Sequence, residues 1–560
     1  MARQTGIGIQ DFSKIIENNC FYVDKAAFIK EWWENRDDVT LITRPRRFGK
    51  TLTMSMVEQF FSVQYADRGD LFHGLSIWKE ESYRRLQGAY PVISLSFADV
   101  KETNFAAARE KICRILVELY DKFSFFISKS NLTGEDKEFF RSASPEMSDS
   151  AAAYSLKALS QYLSRRYGKK AIILLDEYDT PMQEAFVHGY WEEMAAFMRG
   201  LFNSTFKTNA YLDRAIMTGI TRISRESIFS DLNHLEIVTV TSDKYMDSFG
   251  FTQGEVFAAM DEFGLTQRDR VKEWYDGFTF GTRRDIHNPW SILNYLDKRQ
   301  FSAYWANTSS NSLIGRLVRQ GSPDIKMTME SLLKGGVLCT QIDEQIVFDR
   351  LGQSEISVWS LLLASGYLKV ESRTAEDGLE AGEYTLSLTN MEVRLAFERL
   401  VRGWFEPCAG CYNRFIRALL SGDLEDMNGY MNDLALELFS SFDGGRKPPG
   451  KARPERFYHG FVLGLLVELK DRYSISSNGE SGYGRYDIML EPKKDDLDAF
   501  LIEFKVVDAK HGETMETCVE SALRQITEMQ YDAVLKKKGI PAERIHKYGF
   551  AFEGKTVLIG

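Results

Sequence analysis

LITRPRRFGKTL, residues 41–52, joins an apolar run, Val39 to Ile42, to a basic loop and then to Gly49-Lys50-Thr51 ahead of a helical pattern. A buried strand, a turn of backbone N–H groups, a lysine and a hydroxyl, in that order, make a phosphate-binding loop. Lys50 is expected to reach the β- and γ-phosphates and Thr51 to ligate Mg²⁺, while the helix opening at Gly49 turns its first amides to the anion. Arg44 stands where G-x-x-x-x-G-K-[ST] has its first glycine, so the turn must accept a side chain there. Arg44, Arg46 and Arg47 are expected to add positive charge beside the anion, and the binding stretch runs on through Phe48 to Leu52. The substrate class is a nucleoside triphosphate, read as ATP with Mg²⁺.

A second segment supports the first. AIILLDEYD, Ala171 to Asp179, is an apolar strand ending in acids: Asp176 to hold Mg²⁺ through water, Glu177 to orient or activate the attacking water. Alone it reads equally well as a buried strand followed by a solvated acidic turn, and the upstream Gly-Lys-Thr tips the balance. AIMTGITRIS, Ala215 to Ser224, resembles the sensor region of AAA-type ATPases. That resemblance implies a γ-phosphate contact from Thr218, with Thr221 beside it, and charge stabilisation by Arg222 and Arg225. Surface arginines packed on acids are the competing account.

Strand-like runs at Val39–Ile42, Val92–Phe97, Ala171–Leu175, Ala215–Thr218 and Ile237–Val240 alternate with helical patterns such as Ala106–Phe123 and Ala152–Tyr167. This spacing predicts an α/β domain over residues 1–300, a P-loop NTPase parallel sheet covered on both faces. Residues 301–442 change texture: a helix ending at Gly366, a hairpin and a second helix suggest a winged-helix-like module, followed by a purely helical stretch. DGGRKPPGKARP, Asp443 to Pro454, reads as a linker. Residues 455–560 read as a last domain with its own strands, Asp487–Leu490 and Phe500–Phe504.

In that domain Asp487 opens a strand in GRYDIML, and LIEFKV places Glu503 and Lys505 two apart, on one face of another strand. Two carboxylates suit Mg²⁺, or Mn²⁺, and a lysine can position the nucleophilic water or neutralise charge on the phosphorus centre. Asp487 and Glu503 are the expected metal ligands and Lys505 the catalytic cation. Glu455 and His459 lie four apart on a predicted helix as a supporting acid and polar partner. An exposed face of an edge strand would also spell Glu-x-Lys; Asp487 and the apolar flanks favour the metal reading.

IGIQDFSKIIENNCFYVDKAAFIKEW, RPRRFGKTL, LLDEYDTP, MTGITRIS and YDGFTFG…IHNPWSILNYL resemble successive motifs of the bacterial and archaeal AAA-ATPase-like family. Members of that family are commonly fused to a carboxy-terminal PD-(D/E)XK nuclease-superfamily domain, whose D…E-x-K spacing is that of Asp487, Glu503 and Lys505. The resemblance makes Arg44 a family spelling and implies an α/β restriction-endonuclease-like fold for residues 455–560. It also implies that Gln525, in ALRQITEMQY, faces the metal site. Asp24 and Lys25 belong to the resemblance without a physical role.

The formal net charge of −10 excludes a uniformly basic nucleic-acid binder, so any DNA contact must be local and salt-sensitive. The run Lys536-Lys537-Lys538 offers phosphate contacts but reads better as a solvated helix face. Six cysteines include one C-x-x-C, Cys408 and Cys411, better taken as two reduced thiols in a helix than as a zinc site. With no apolar leader and no stretch of membrane-spanning length, a cytoplasmic location is expected. The expected function is an ATPase whose state controls a metal-dependent DNA nuclease. Its rivals are a nucleotide-gated DNA-binding or signalling switch with an inactive nuclease domain, and a scaffold acting through protein contacts.

Overall fold

The computed structural model describes residues 3–128, 133–223, 234–306, 323–344, 354–374, 382–403, 409–439 and 472–560, apart from 478, 495, 508–511 and 554–555, with isolated positions between those ranges. The chain divides into two compact units, Met1–Gly321 with Thr328–Phe397, and Ser322–Met327 with Glu398–Gly560.

In the first unit β1 (Val39–Thr43), β2 (Val92–Ser96), β3 (Ala171–Asp176), β4 (Leu212–Gly219) and β5 (Leu235–Val238) form a parallel sheet in the order β2-β3-β4-β1-β5. Every residue of β1 and β3 is buried, which explains why both are largely apolar, with Thr40 and Thr43 the polar positions of β1 and Asp176 closing β3. The order sets β1 beside β4 and β4 beside β3, so Thr43, Asp176 and Thr218 finish neighbouring strands. The helix Asp149–Tyr167 shows why the covering helices end where they do. Ser148 caps its start, Arg165 and Arg166 complement the dipole of its last turn, and Gly168 leaves it at φ 68.

Two small antiparallel sheets complete this unit. β6 (Phe251–Thr252), β7 (Phe278–Phe280) and β8 (Arg283–His287) pair in the order β6-β8-β7. β9 (Leu338–Thr340), β10 (Leu368–Thr374) and β11 (Glu383–Leu388) pair as β10-β11-β9. The helix Glu355–Ala364 precedes the β10–β11 hairpin and the helix Met391–Gly403 follows it, so the helix–hairpin–helix order expected there is present.

In the second unit β12 (Tyr473–Ser477), a short hairpin of β13 (Glu480–Ser481) and β14 (Gly484–Arg485), β15 (Ile488–Pro492), β16 (Ala499–Val506), β17 (Ile545–Glu553) and β18 (Thr556–Ile559) follow in sequence. The main sheet runs β12-β15-β16-β17-β18, parallel only between β16 and β17. Period-two alternation assigns its faces. Ile488, Leu490, Phe500, Ile502 and Phe504 point into one core with Phe415, Leu419, Met427 and Tyr430. Met489 and Leu501 point to the other face, with Ile526 and Tyr531.

The helices Ala409–Ser421 and Leu424–Phe439 therefore pack on the C-terminal sheet, and the domain boundary expected at residue 442 falls inside the second unit. Asn428 and Asn432 bind them to it. The amide of Asn428 gives and takes a hydrogen bond at Ile559, with its Nδ2 at 2.9 Å from the carbonyl and its Oδ1 at 2.7 Å from the N–H. Asn432 does the same at Val557, at 2.7 and 2.9 Å. The linker expected at 443–454 lies outside the described residues.

Candidate functional site

The loop after β1 turns at Arg47 (φ 64) and Gly49 (φ 83) before the helix Lys50–Phe61 begins. A Cβ on Gly49 would meet nothing within 4 Å, so the glycine serves the left-handed backbone and not a close contact. Thr51 Oγ1 donates to Asp176 Oδ2 over 2.7 Å, and Thr218 Oγ1 donates to Asp176 Oδ1. Burial pushes the Asp176 carboxyl above its ordinary value, opposed by those two hydroxyls. The buried Lys50 ammonium donates to the carbonyls of Arg44 and Pro45, each at 2.9 Å. Burial lowers its pKa, opposed by Glu177, Asp176 and Asp179.

Glu177 holds a left-handed backbone, φ 50, and its Oε2 accepts from Thr180 Oγ1 at 3.0 Å. Two non-glycine residues with positive φ, Arg47 and Glu177, thus border one site, where backbone strain is commonly stored. Asp179 serves structure: its Oδ2 accepts from the N–H groups of Ile220 and Thr221 and from the Thr221 hydroxyl, fixing the turn after β4.

A cavity of about 370 Å³ lies over this loop. Arg46, Arg47, Phe48, Gly49, Lys50, Thr51, Leu52 and Glu177 line it. Asp176 and Thr218 do not; Asp176 meets the lining through the Thr51 hydroxyl, and Thr218 lies behind it on the other carboxylate oxygen.

Arg44 corrects the sequence reading. Its side chain is fully buried and turned away from the cavity. The guanidinium donates to the carbonyls of Thr43 (3.0 Å), Thr239 (2.6 Å) and Lys244 (3.3 Å), and lies 4.5 Å from the Phe280 ring centre. It adds no charge beside a phosphate, because those carbonyls and that ring sit behind the loop. Burial lowers its pKa to about 9. Arg222 likewise lines a separate small cleft with Thr43, Thr239, Asp343 and Glu344, and Arg225 lies outside the described residues.

Other cavity walls were not read from the sequence: Thr5, Gly6, Gly8 and Ile9 from the amino terminus, and Pro289 and Trp290 from the helix Pro289–Lys298. Arg47 stacks on Trp290, 4.5 Å from its ring centre. The signal that marks them, the segments IGIQ and NPW, carries no chemistry until the chain folds back. Asp24 and Lys25 acquire roles as ties: Asp24 accepts from the N–H groups of Ala26 and Ser76, and Lys25 pairs with Glu255 at 2.8 Å.

The second cluster stands on the antiparallel pair β15–β16. Ile488 faces Ile502, which puts Asp487 opposite Glu503 at the mouth of the pair. Asp487 Oδ2 accepts from the Phe504 N–H at 2.8 Å. Glu503 is 3% exposed; its Oε1 accepts from Gln525 Nε2 at 2.5 Å and lies 3.5 Å from Lys505 Nζ. Its Oε2 is buried without a partner. Burial, then the charge of Asp487, push the Glu503 carboxyl up to about 8. Lys505 Nζ donates to Gln525 Oε1 at 2.6 Å, and Gln525 Nε2 also donates to the Tyr531 hydroxyl at 2.9 Å.

Asp487, Glu503, Lys505 and Gln525 thus meet as expected, while Glu455 and His459 lie outside the described residues. A buried carboxylate oxygen with no donor, beside a second carboxylate, fits a divalent cation. Among the described residues no group of three or more His, Cys, Asp or Glu gathers for a metal.

Lys536 and Lys547 pair with Asp532, and Lys538 with Glu491, which supports the solvated-face reading of the lysine run. No helix among the described residues is long and apolar enough to cross a membrane.

Comparison with known proteins bears on both clusters. Over 564 aligned residues the chain is 26% identical to a protein of Azotobacter chroococcum mcd 1 described as an uncharacterized protein in the vnfD 5'region. The alignment covers 98% of this chain and 96% of that relative. Residues 6–229 match the AAA-ATPase-like family, described as predicted AAA-ATPase, and residues 453–560 match a family of the PD-(D/E)XK nuclease superfamily. The chain therefore unites an amino-terminal AAA-ATPase-like domain with a carboxy-terminal domain of the PD-(D/E)XK nuclease superfamily.

Proposed function

We propose that this protein hydrolyses ATP with Mg²⁺ in its first unit, cuts DNA phosphodiester bonds with a divalent cation in its second, and uses the state of the first to control the second. One observation carries the reading: a single chain holds both the Thr51–Asp176–Thr218 set and the partnerless Glu503 oxygen beside Asp487.

In the first unit Lys50 leaves the Arg44 and Pro45 carbonyls for the β- and γ-phosphates, and the amides at the start of the Lys50–Phe61 helix face the same charge. Thr51 and Asp176 would hold Mg²⁺, with Thr218 fixing the carboxylate. Glu177, held by Thr180 at the cavity wall, orients the attacking water.

In the second unit Asp487 and Glu503 would hold the cation, which when bound supplies Lewis-acid activation and charge neutralisation. Gln525 fixes Glu503 and Lys505 at once, leaving the ammonium aimed beside the carboxylate to stabilise charge on the phosphate. Hydrolysis adds water across one P–O bond and leaves a phosphate monoester and an alcohol. The test is cleavage of a labelled duplex by the full chain with Mg²⁺ and ATP. Metal-dependent cleavage that persists in Lys505→Ala would end the nuclease assignment. A calorimetric titration with Mg²⁺ or Mn²⁺ in which Asp487→Ala loses no site would mean no metal centre at Asp487 and would favour the nucleotide-gated switch.

A further inference from the structure

Tyr483 is 78% exposed, more than any other large apolar side chain among the described residues. It sits at the tip of the β13–β14 hairpin, four residues before Asp487. An exposed tyrosine on a loose loop would mean little. This loop is not loose.

Gly482 holds φ 61 in the first central position of the two-residue turn, where that turn requires a positive φ. A Cβ there would lie 2.1 Å from the Met529 carbonyl, so the turn rests directly on the end of the helix Met515–Glu528. Tyr483 N–H donates to that same carbonyl at 2.8 Å, and Ser481 Oγ donates to the Tyr531 carbonyl at 2.7 Å. Tyr531 in turn accepts from Gln525, which holds Glu503 and Lys505. The backbone under Tyr483 is therefore tied to the residues that hold the catalytic cluster, while its ring is left to solvent. Four residues of strand-like chain put it within about 13 Å of Asp487. Arg485, 64% exposed and 3.7 Å from Glu480, stands between the two.

We infer that the Gly482–Tyr483 tip is a stacking platform for an unpaired nucleotide of the DNA held at Asp487 and Glu503. This rests on the nuclease reading and adds to it a substrate form. With the backbone beneath it already fixed, the ring gives up only its own side-chain rotation on binding, so most of its contact area goes into affinity. A base within duplex has both faces covered by its neighbours, whereas a single-stranded base offers a free π-face to an aromatic side chain. Arg485 supplies a phosphate contact beside it.

The experiment measures binding of the full chain, with Ca²⁺ replacing Mg²⁺, to a fluorescein-labelled single strand and to the same sequence as blunt duplex. Tyr483→Ala is expected to weaken single-strand binding roughly 5- to 100-fold and to change blunt-duplex binding less than about twofold. Tyr483→Phe is expected to retain wild-type affinity for both, since the ring and not the hydroxyl does the stacking. An unchanged thermal midpoint checks that the hairpin stays folded. Single-strand affinity that survives Tyr483→Ala overturns the platform and leaves the exposed ring for a protein partner. Equal weakening for both DNA forms overturns it too, since it shows a contact blind to base pairing. A wild-type chain that binds neither form brings down the nuclease reading along with the platform, whereas wild-type binding kept in Tyr483→Ala brings down the platform alone.

Discussion

The hydroxyl of Thr51 and the carboxylate of Asp176 meet at 2.7 Å, so the start of the loop helix and the end of β3 share one point at the edge of the parallel sheet. Thr218 takes the other carboxylate oxygen from β4. Three elements far apart in the chain thus converge on one acid before any ligand arrives.

ATP turnover should follow this convergence. Lys50→Ala and Asp176→Asn are expected to lower phosphate release by at least about 100-fold, since each removes charge stabilisation aimed at the transferring group. Thr218→Val removes only the hydroxyl that fixes Asp176, and a loss of about tenfold is expected, one hydrogen bond's worth. Steady-state phosphate release by the full chain checks all three. A Thr218→Val enzyme as slow as Asp176→Asn would mean that Thr218 touches substrate itself.

Arg44→Gly restores the ordinary spelling of the loop and is expected to harm the protein. It deletes three hydrogen bonds to backbone carbonyls, two of them buried, and a cation–π contact. The first unit should lose about 2–4 kcal/mol by thermal or denaturant unfolding. Arg44→Lys should recover little, because an ammonium cannot fork across those carbonyls. A glycine variant as stable as the wild type would return Arg44 to the phosphate-binding role.

Glu392 sets a pH dependence in the same unit. Burial pushes its carboxyl up to about 7, against hydrogen bonds from Ser291 and the N–H groups of Trp305 and Ala306. Between about pH 4.5 and 7 the folded chain keeps this proton and the unfolded chain has released it, so stability falls as pH rises, by at most about 1.4 kcal/mol per unit. Below that window both states hold the proton. Glu392→Gln should flatten the fall, seen as a smaller drop in thermal midpoint between pH 5 and 7. An identical drop in the variant would assign the slope to other groups.

Asp487→Ala, Glu503→Gln and Lys505→Ala are each expected to reduce DNA cleavage by at least about 100-fold while leaving ATP turnover unchanged. Chelation with EDTA should stop cleavage, and Mg²⁺ or Mn²⁺ should restore it. Titration calorimetry should show a metal site in the wild type that is absent in Asp487→Ala. Loss of ATP turnover in these variants would show that they disturb folding and not the chemistry alone.

The parallel sheet was legible because both of its faces are covered. Val39–Ile42 and Ala171–Leu175 are buried throughout and apolar except at Thr40, and each falls inside an observed strand. Asp487, Glu503 and Lys505 were legible because a strand's period of two is strict. Arg44 was misread because spacing locates a residue along the chain and not the direction of its side chain. Its direction is set by Thr239 and Lys244, some 200 residues away in sequence. The cavity walls at Thr5–Ile9 and Trp290 escaped notice for the same reason: apolar segments show that they will be buried and not against what. The helices Ala409–Ser421 and Leu424–Phe439 were recognisable as helices, but an amphipathic face does not name the sheet it covers.

Asn428 and Asn432 carry one more consequence. Each side-chain amide presents a donor and an acceptor to β18 as a neighbouring strand's backbone would, so the helix Leu424–Phe439 acts as a surrogate sixth strand. The family match to the nuclease domain begins only at residue 453. A fragment cut there would keep every residue of the cluster at Glu503 and yet leave β18 an open edge, and the core of Ile488, Phe500 and Phe504 would lose Phe415, Leu419, Met427 and Tyr430. Such a fragment is expected to self-associate through that edge. The compact unit that carries this cluster reaches back to Glu398, well before the recognisable sequence at residue 453.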